Sequence, residues 1–235
     1  MLKMVKRHLK QLAAPKSWPL KRKGSKFVTM PEPGAHKLEE GVPLALMLTN
    51  MINVAENTAE AKKIIYKSEV LVDQVRRKSP KFMVGFMDTV EFPQIKKAYR
   101  ILFNSKGTLV AHEIDVKEAK IKPVRVENKR IVKGNKIQLN LSSGRNILVE
   151  KDEFNVGDTL VLELPEQKIK SHIKLEPGSL ALLVSSKHMG LLVEVAEVQG
   201  DKVIVKKDDK TFETAKETVF VVGKKKPEIT IPQEE

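Results

Sequence analysis

The sequence predicts an α+β chain with a basic N-terminal arm, a small helical module and two small β-rich domains. Prolines and glycines interrupt the basic residues 1–42, and apolar residues then recur at helical spacing as far as residue 67. After residue 98, short β runs alternate with turn residues. The predicted boundaries are 1–42 for the arm, 43–90 for the helical module, 91–173 for the central β-rich domain, 174–224 for a C-terminal β-barrel and 225–235 for a tail.

Most of the excess positive charge lies in the arm. Residues 1–37 hold ten Lys or Arg against one acid, Glu32, and so carry about +9 of the formal net charge of +13. Four prolines and two glycines break any apolar period there, so we expect the arm to have no core of its own and to become ordered on a partner. The only Trp, Trp18, lies among lysines, and a flat ring among cations suits RNA.

Two helices and a short strand are predicted for the helical module. Pro43 suits the first turn of a helix whose apolar residues run from Leu44 to Ile52. Asn57 or Thr58 would cap the second helix, whose apolar stripe contains Ala61, Ile64 and Ile65. A strand at 70–72, a turn at 73–74 and a cationic exit at 75–77 follow.

Short strands dominate the two β-rich domains. Hairpins are predicted for 99–104 with 108–114 and for 137–141 with 146–150, and a strand for 159–164. Asp115 would cap a one- or two-turn helix. Five further strands in about 45 residues predict the C-terminal barrel, at 180–184, 191–198, 202–206, 211–214 and 218–222.

Several classes of site lack support in the sequence. There is no Cys, and the five His stand far apart, so thiolate and His-based metal motifs are missing and no cofactor is expected. No nucleotide-binding glycine motif or nucleophile elbow occurs, and Asp88 and Glu91 are interpreted as solvated surface carboxylates. No apolar run predicts a membrane span or a signal peptide, so a cytoplasmic protein is expected. No small-molecule substrate is expected either.

Three segments resemble one known family. The arm sequence HLKQLAAPKSWPLKRKG at 8–24 resembles the N-terminal signature of the S4e family of small-subunit ribosomal proteins, with His8, Lys10, Leu12, Pro15 and Trp18 in matching places and Gln11 where a basic residue is usual. Residues 57–74 resemble the S4-type RNA-binding module, with Lys62 in place of a family Arg and Asp73-Gln74 in place of Asn-Gly. SSKHMGLLVEV at 185–195 is similar to the KOW motif, with Gly190 at its central glycine.

The resemblance implies a structural constituent of the small ribosomal subunit that binds ribosomal RNA, contacts neighbouring ribosomal proteins and catalyses no reaction. Two alternatives stay open: an RNA-modifying enzyme of the pseudouridine synthase type, and a KOW-containing transcription or translation factor. The C-terminal domain would be a KOW/SH3-like barrel. The expected RNA-binding residues are Lys3, Lys6, Arg7, His8, Lys10, Lys16, Trp18, Lys21, Arg22, Lys23, Lys26, Lys62, Lys63, Lys67, Arg76, Arg77, Lys81, Lys187, His188 and Gly190.

Overall fold

The structure is a computed structural model that describes residues 8–21, 23–185, 188–207, 210–224 and 226–231. Within these residues the chain is mostly β, with few and short helices. Three five-stranded antiparallel sheets follow one another along the chain, and the arm and the helices pack against the first of them.

The arm begins with a small hairpin. Strands β1 (Leu9–Lys10) and β2 (Phe27–Val28) pair antiparallel, and β3 (Gly41–Pro43) ends the arm. Trp18, between β1 and β2, is only 3% exposed and belongs to the largest apolar cluster of the protein. Its Nε1–H donates to the carbonyls of Gly41 (2.8 Å) and Leu38 (3.2 Å). The arm therefore packs into the core of its own chain, which differs from the expectation that it becomes ordered on a partner.

The first predicted helix is short and irregular. Helix α1 (Leu44–Leu46) continues into a π-helix over Met47–Met51. Helix α2 (Thr58–Lys67) is regular, and the side chain of Asn57 accepts the Glu60 N–H at 2.9 Å, which confirms the predicted N-cap. Ala61 and Ile65 are buried and attach α2 to the core.

The first sheet extends beyond the predicted helical module. It has the order β5-β4-β7-β8-β9, while β6 pairs with β3, so the predicted boundary between residues 90 and 91 lies inside a strand of this sheet. The strands are β4 (Leu71–Val72), β5 (Val75–Arg76), β6 (Met83–Gly85), β7 (Thr89–Phe92), β8 (Lys97–Phe103) and β9 (Leu109–Ile114). The predicted hairpin of β8 and β9 is confirmed.

The second sheet contains a long strand that the sequence did not indicate. Its order is β12-β11-β10-β13-β14, and β10 runs for 12 residues despite Pro123. A 3-10 turn at Glu118–Lys120 stands where a short helix was expected. The strands are β10 (Ile121–Val132), β11 (Lys136–Leu141), β12 (Asn146–Val149), β13 (Thr159–Glu163) and β14 (Lys168–Ile173).

The third sheet confirms the five predicted C-terminal strands. Its order is β18-β17-β16-β15-β19. Phe220 and Val222 of its last strand join the core that also holds Trp18, so the parts of the chain share apolar packing. The strands are β15 (Leu180–Leu183), β16 (Leu192–Gln199), β17 (Lys202–Lys207), β18 (Lys210–Ala215) and β19 (Val219–Gly223).

A buried ion cluster joins the arm, the first sheet and the second sheet. Lys122 of β10 is fully buried, and its Nζ contacts Asp73 Oδ2 (2.5 Å) and Asp88 Oδ1. Arg145 Nη2 reaches the same Asp73 oxygen at 2.7 Å, and His36 Nε2 reaches Asp88 Oδ2 at 2.8 Å. Asp88, interpreted from sequence as a surface carboxylate, is thus buried, and that interpretation is wrong.

The electrostatics of this cluster favour the ionised carboxylates. Burial raises the pKa of Asp88, but the Lys122 ammonium and the His36 imidazole outweigh burial and hold that pKa below its ordinary value of 3.8. Asp88 Oδ2 also accepts the Gly85 N–H at 2.8 Å. Gly85 leaves room for His36, since a Cβ there would lie 2.2 Å from the imidazole.

We predict that Trp18 reports a packed arm in the free protein. Trp18→Ala should lower the free energy of unfolding by about 3–5 kcal/mol, because a large buried ring is lost. The fluorescence of this single Trp should be blue-shifted in the RNA-free protein and shift red in urea. Leu12, which is 99% exposed, supplies the control: Leu12→Ala should change the unfolding midpoint hardly at all. Water-exposed Trp emission without RNA would contradict the packed arm.

We also predict an acid-sensitive component of stability from Asp88. A folded-state pKa below 3.8 gives stabilisation that is complete above pH about 4 and is lost as the pH falls further. Asp88→Asn should flatten this part of the urea-denaturation profile and lower stability at pH 7 by about 3–5 kcal/mol, because Lys122 loses a partner. Glu213→Gln, at an exposed ion pair, should change stability by less than about 1 kcal/mol. An unaltered acid limb in Asp88→Asn would refute the assignment.

Candidate nucleic-acid interface

The exposed face of α2 carries the cations predicted from sequence. Lys62, Lys63 and Lys67 are exposed, while Ala61 and Ile65 on the opposite side are buried. None of the three lysines forms an ion pair with the part of the chain that the structure describes. Unpaired ammonium groups on one helix face are available to phosphate oxygens.

Two arginines, Arg76 and Arg77, follow the turn between β4 and β5, and their surroundings differ. Asp73 (φ 52°) and Gln74 (φ 64°) both have the left-handed backbone of a two-residue hairpin turn. Thr89 N–H donates to Asp73 Oδ1 (3.1 Å), and Gln74 Nε2 donates to Glu91 Oε2 (2.7 Å), which fixes the turn without glycine. Arg76 is exposed beyond it.

Arg77 is held more firmly than Arg76. Its guanidinium lies over the Phe82 ring, 4.5 Å from the centroid. Its Nε is buried and has no hydrogen-bond partner in the described chain. Arg77 also lines a cavity of about 190 Å³ together with Arg145 and the buried ion cluster, so two cations border the same opening.

The arm brings part of its charge next to the helical module. A cavity of about 310 Å³ lies between them, lined from the arm by Lys21 and Phe27 and from the helical module by Asn50 and Thr58. Asn50 Nδ2 donates to the carbonyl of Pro19 at 3.0 Å and fixes the two walls. The side chains of His8, Lys10, Lys21, Lys23 and Lys26 are exposed along the arm.

Other predicted cations lie elsewhere. Lys16 lines a separate groove of about 520 Å³ with Lys106 and Met189. Lys81 is exposed next to the arm, where its carbonyl accepts the Glu32 N–H at 3.0 Å. The His188 ring contacts Phe212 at 4.6 Å. Lys3, Lys6, Arg7, Arg22 and Lys187 lie outside the described residues.

Trp18 and Gly190 have roles different from those expected. The buried Trp18 ring offers no face to a base. Gly190 (φ 83°) approaches its own chain, because a Cβ there would lie 2.2 Å from the Asn104 carbonyl oxygen. Its missing side chain allows this close approach to the backbone of its own chain.

One exposed aromatic residue of α2 was not among the residues predicted to bind RNA. Tyr66 of α2 is 58% exposed on the same face as Lys62 and Lys63. Tyr66 follows these lysines by three and four residues, a spacing that the sequence shows. The ring predicted to contact RNA was instead that of the only Trp, Trp18.

The described residues contain neither a candidate metal site nor a candidate membrane-spanning helix. No group of three or more His, Asp or Glu there is arranged to hold a metal ion. Among the described helices, none has the length and apolar character needed to cross a bilayer.

Comparisons with known proteins agree on one family. The model of the ribosomal family S4e matches residues 95–169, and that of the RS4NT domain matches residues 3–39. The chain is 41% identical over 232 residues to the small ribosomal subunit protein eS4 of Methanosphaera stadtmanae, covering 96% of each chain. It is 40% identical to the eS4 protein of Methanocaldococcus jannaschii, over 96% of this chain and 98% of that protein.

A solved structure agrees with these relatives. The crystal structure of the 30S ribosomal protein S4e from Thermoplasma acidophilum superposes with a TM-score of 0.70 at 29% identity. The match covers 78% of this chain and 95% of that one, so the mostly β fold with few helices is shared.

We predict that Gly190 is required for stability. Gly190→Ala and Gly134→Ala both place a side chain at a positive φ, 83° and 84°, but only Gly190 has atoms nearby. Each variant should lose about 1–2 kcal/mol for the left-handed backbone. Gly190→Ala should lose at least about 1 kcal/mol more, because overpacking displaces the loop. Urea midpoints measure the difference, and equal losses would show that the close contact is unimportant.

Proposed function

Since this chain belongs to the S4e family of small-subunit ribosomal proteins, we propose that it is a structural constituent of the small ribosomal subunit, which it helps to assemble by binding ribosomal RNA. The observation that carries this proposal is the row of exposed, unpaired lysines on α2 beside the basic arm. Family membership implies a non-catalytic role in the ribosome, in the cytoplasm, with ribosomal RNA and neighbouring ribosomal proteins as partners.

The proposed mechanism is electrostatic attachment to a rigid surface. Lys62, Lys63 and Lys67 bind backbone phosphates and release condensed counterions. Arg76 extends this contact from the turn after β4. The exposed arm cations from Lys10 to Lys26 form the second part of the interface, and Lys16 with the loop at 188–190 a third. Lys81 lies beside the arm and adds to the same positive surface.

The finer domain assignment belongs to the same proposal. Residues 43–90 would act as an S4-type RNA-binding module, although their strands continue into a larger sheet. Residues 174–224 would act as a KOW/SH3-like domain. The meander of β15 to β18, with β19 beside β15, supports this assignment.

The two alternative functions find no support in the comparisons. The matched relatives are named as small ribosomal subunit proteins. They match this chain over nearly their full length. The buried carboxylates Asp73 and Asp88 are engaged by Lys122, Arg145 and His36, which explains them as structural groups.

Co-sedimentation tests the function directly. The full chain should sediment with small ribosomal subunits reconstituted from ribosomal RNA and proteins, in roughly physiological salt, and not with large subunits. Recovery as free protein would contradict the proposal.

We predict that the α2 lysines contribute to affinity in proportion to the phosphates that they neutralise. The double variant Lys62→Gln/Lys63→Gln should lower the slope of log affinity against log salt by about 1.4–1.8, that is 0.7–0.9 per phosphate contact. Binding is measured by filter retention of deproteinised small-subunit ribosomal RNA. Circular dichroism should remain that of wild type, because both side chains project into solvent.

Lys168→Gln/Lys202→Gln is the matched control, since both lysines are exposed and already face an acidic partner. The control should leave the slope within about 0.3 of wild type. Equal slopes in the two double variants would place the α2 face outside the RNA contact. Point variants are preferred to deleting residues 1–37, because that deletion removes Trp18 from the core.

A further inference from the structure

Tyr66 stands at the centre of the exposed face of α2. Thr58, Ala59, Lys62, Lys63 and Lys67 share its exposed face, and Tyr66 itself is 58% exposed. It has no hydrogen bond and no ring contact with any part of the chain that the structure describes. A large, half-apolar ring is therefore left in water without a structural partner.

Helix geometry places this ring between two ammonium groups. Residues three and four positions apart are neighbours on a helix surface, so Lys63 and Lys62 flank Tyr66. A helical side chain leans towards the N-terminus, so the ring lies over the turn that carries both lysines. Ala59, seven residues before Tyr66 on the same face, is small and exposed.

The other aromatic residues of the chain are already engaged. Four of the eight Phe are buried, Tyr99 is 8% exposed and Trp18 is 3% exposed. Phe82, Phe154 and Phe212 contact Arg77, His172 and His188. The partly exposed Phe27 has the His8 ring at 5.7 Å and the Lys26 ammonium at 5.8 Å. Among the aromatic residues of the described chain, Tyr66 is the most exposed and takes part in no ring or cation–ring contact.

An uncovered ring bordered by unpaired cations matches the chemistry of an unpaired nucleotide. The base of such a nucleotide has a π-face that stacks on aromatic side chains whatever its sequence, and the adjoining phosphates attract ammonium groups. A fully paired A-form helix hides its base faces and would offer only backbone to this surface. A protein partner would have to supply carboxylates to pair with Lys62 and Lys63. The excess positive charge of this chain instead suits a polyanion.

We propose that Tyr66 stacks on an unpaired base of the bound RNA while Lys62 and Lys63 hold the flanking phosphates. The inference rests on the proposed RNA-binding function and adds that the RNA element at α2 contains a loop or bulge. Tyr66 then supplies affinity that does not depend on salt, and the lysines supply the part that does.

Three substitutions of Tyr66 separate stacking from other roles. Tyr66→Phe keeps the ring and should bind deproteinised small-subunit ribosomal RNA within about twofold of wild type. Tyr66→Ala should bind about 5- to 150-fold more weakly, the range that loss of one stacked base produces. Tyr66→Leu keeps an apolar side chain without a π-face and should lose at least about fivefold.

The salt dependence gives a second, independent measurement. All three variants should keep the wild-type slope of log affinity against log salt, because a neutral ring displaces no counterions. Ile95→Ala removes another exposed apolar side chain, 53% exposed, and should leave the affinity unchanged. Urea midpoints should match wild type in every variant, which excludes loss of fold as the cause.

The possible results divide cleanly. Wild-type affinity in Tyr66→Ala, or equal losses in the Phe and Ala variants, would overturn the stacking role. Unchanged RNA affinity combined with weaker incorporation into reconstituted small subunits would assign Tyr66 to a protein contact and also overturn it. If the wild-type protein fails to bind ribosomal RNA at all, the proposed function falls together with this inference.

Discussion

The buried contact of Lys122 with Asp73 and Asp88 is the constraint around which the parts of this protein are arranged. A fully buried ammonium needs carboxylates within hydrogen-bonding distance, and removing either partner exposes the other to a large desolvation penalty. Asp73 lies in the turn after β4, Asp88 lies just before β7, and Lys122 belongs to β10 of the next sheet. The contact therefore constrains how the two sheets lie relative to each other.

The same cluster attaches the arm. His36 reaches Asp88 over Gly85, where no side chain would fit, and Trp18 fills the apolar core some twenty residues earlier. The described basic residues between these anchors, Lys21, Lys23 and Lys26, are therefore carried by a segment fixed at two points. Positioning cations on packed structure reduces the conformational entropy that is lost when RNA binds. The arm combines the composition of a disordered segment with the packing of a folded one.

Local features of the fold could be predicted from the sequence, and long-range contacts could not. The spacing of Ala61 and Ile65 and the cap at Asn57 depend on neighbours within four residues, so α2 was predicted, with Asn57 as one of its two candidate caps. The hairpins of β8 with β9 and of β11 with β12, and the strands of the last sheet, follow from alternation and turn residues. By contrast, the contacts of Trp18 with Leu38, of Asp88 with Lys122 and of Gly190 with Asn104 join residues 20, 34 and 86 positions apart. The spacing of apolar residues along the sequence carries no information about such long-range contacts. Tyr66 was missed for the same reason, since exposure of one ring and burial of another are decided by tertiary packing.

Charge neutralisation inside the protein also determines the electrostatic potential at its surface. Asp73 lies in the turn that precedes Arg76, and Asp88 shares the Lys122 contact with it, so uncompensated carboxylates there would repel a phosphate within a Debye length of about 8–10 Å. Lys122 and Arg145 contribute two positive charges, which balance the two carboxylates. The positive charge of the exposed Arg76 is then not offset by the carboxylates beside the turn. A core ion cluster that fixes the relative position of two sheets thereby also preserves the positive surface through which this protein would hold RNA.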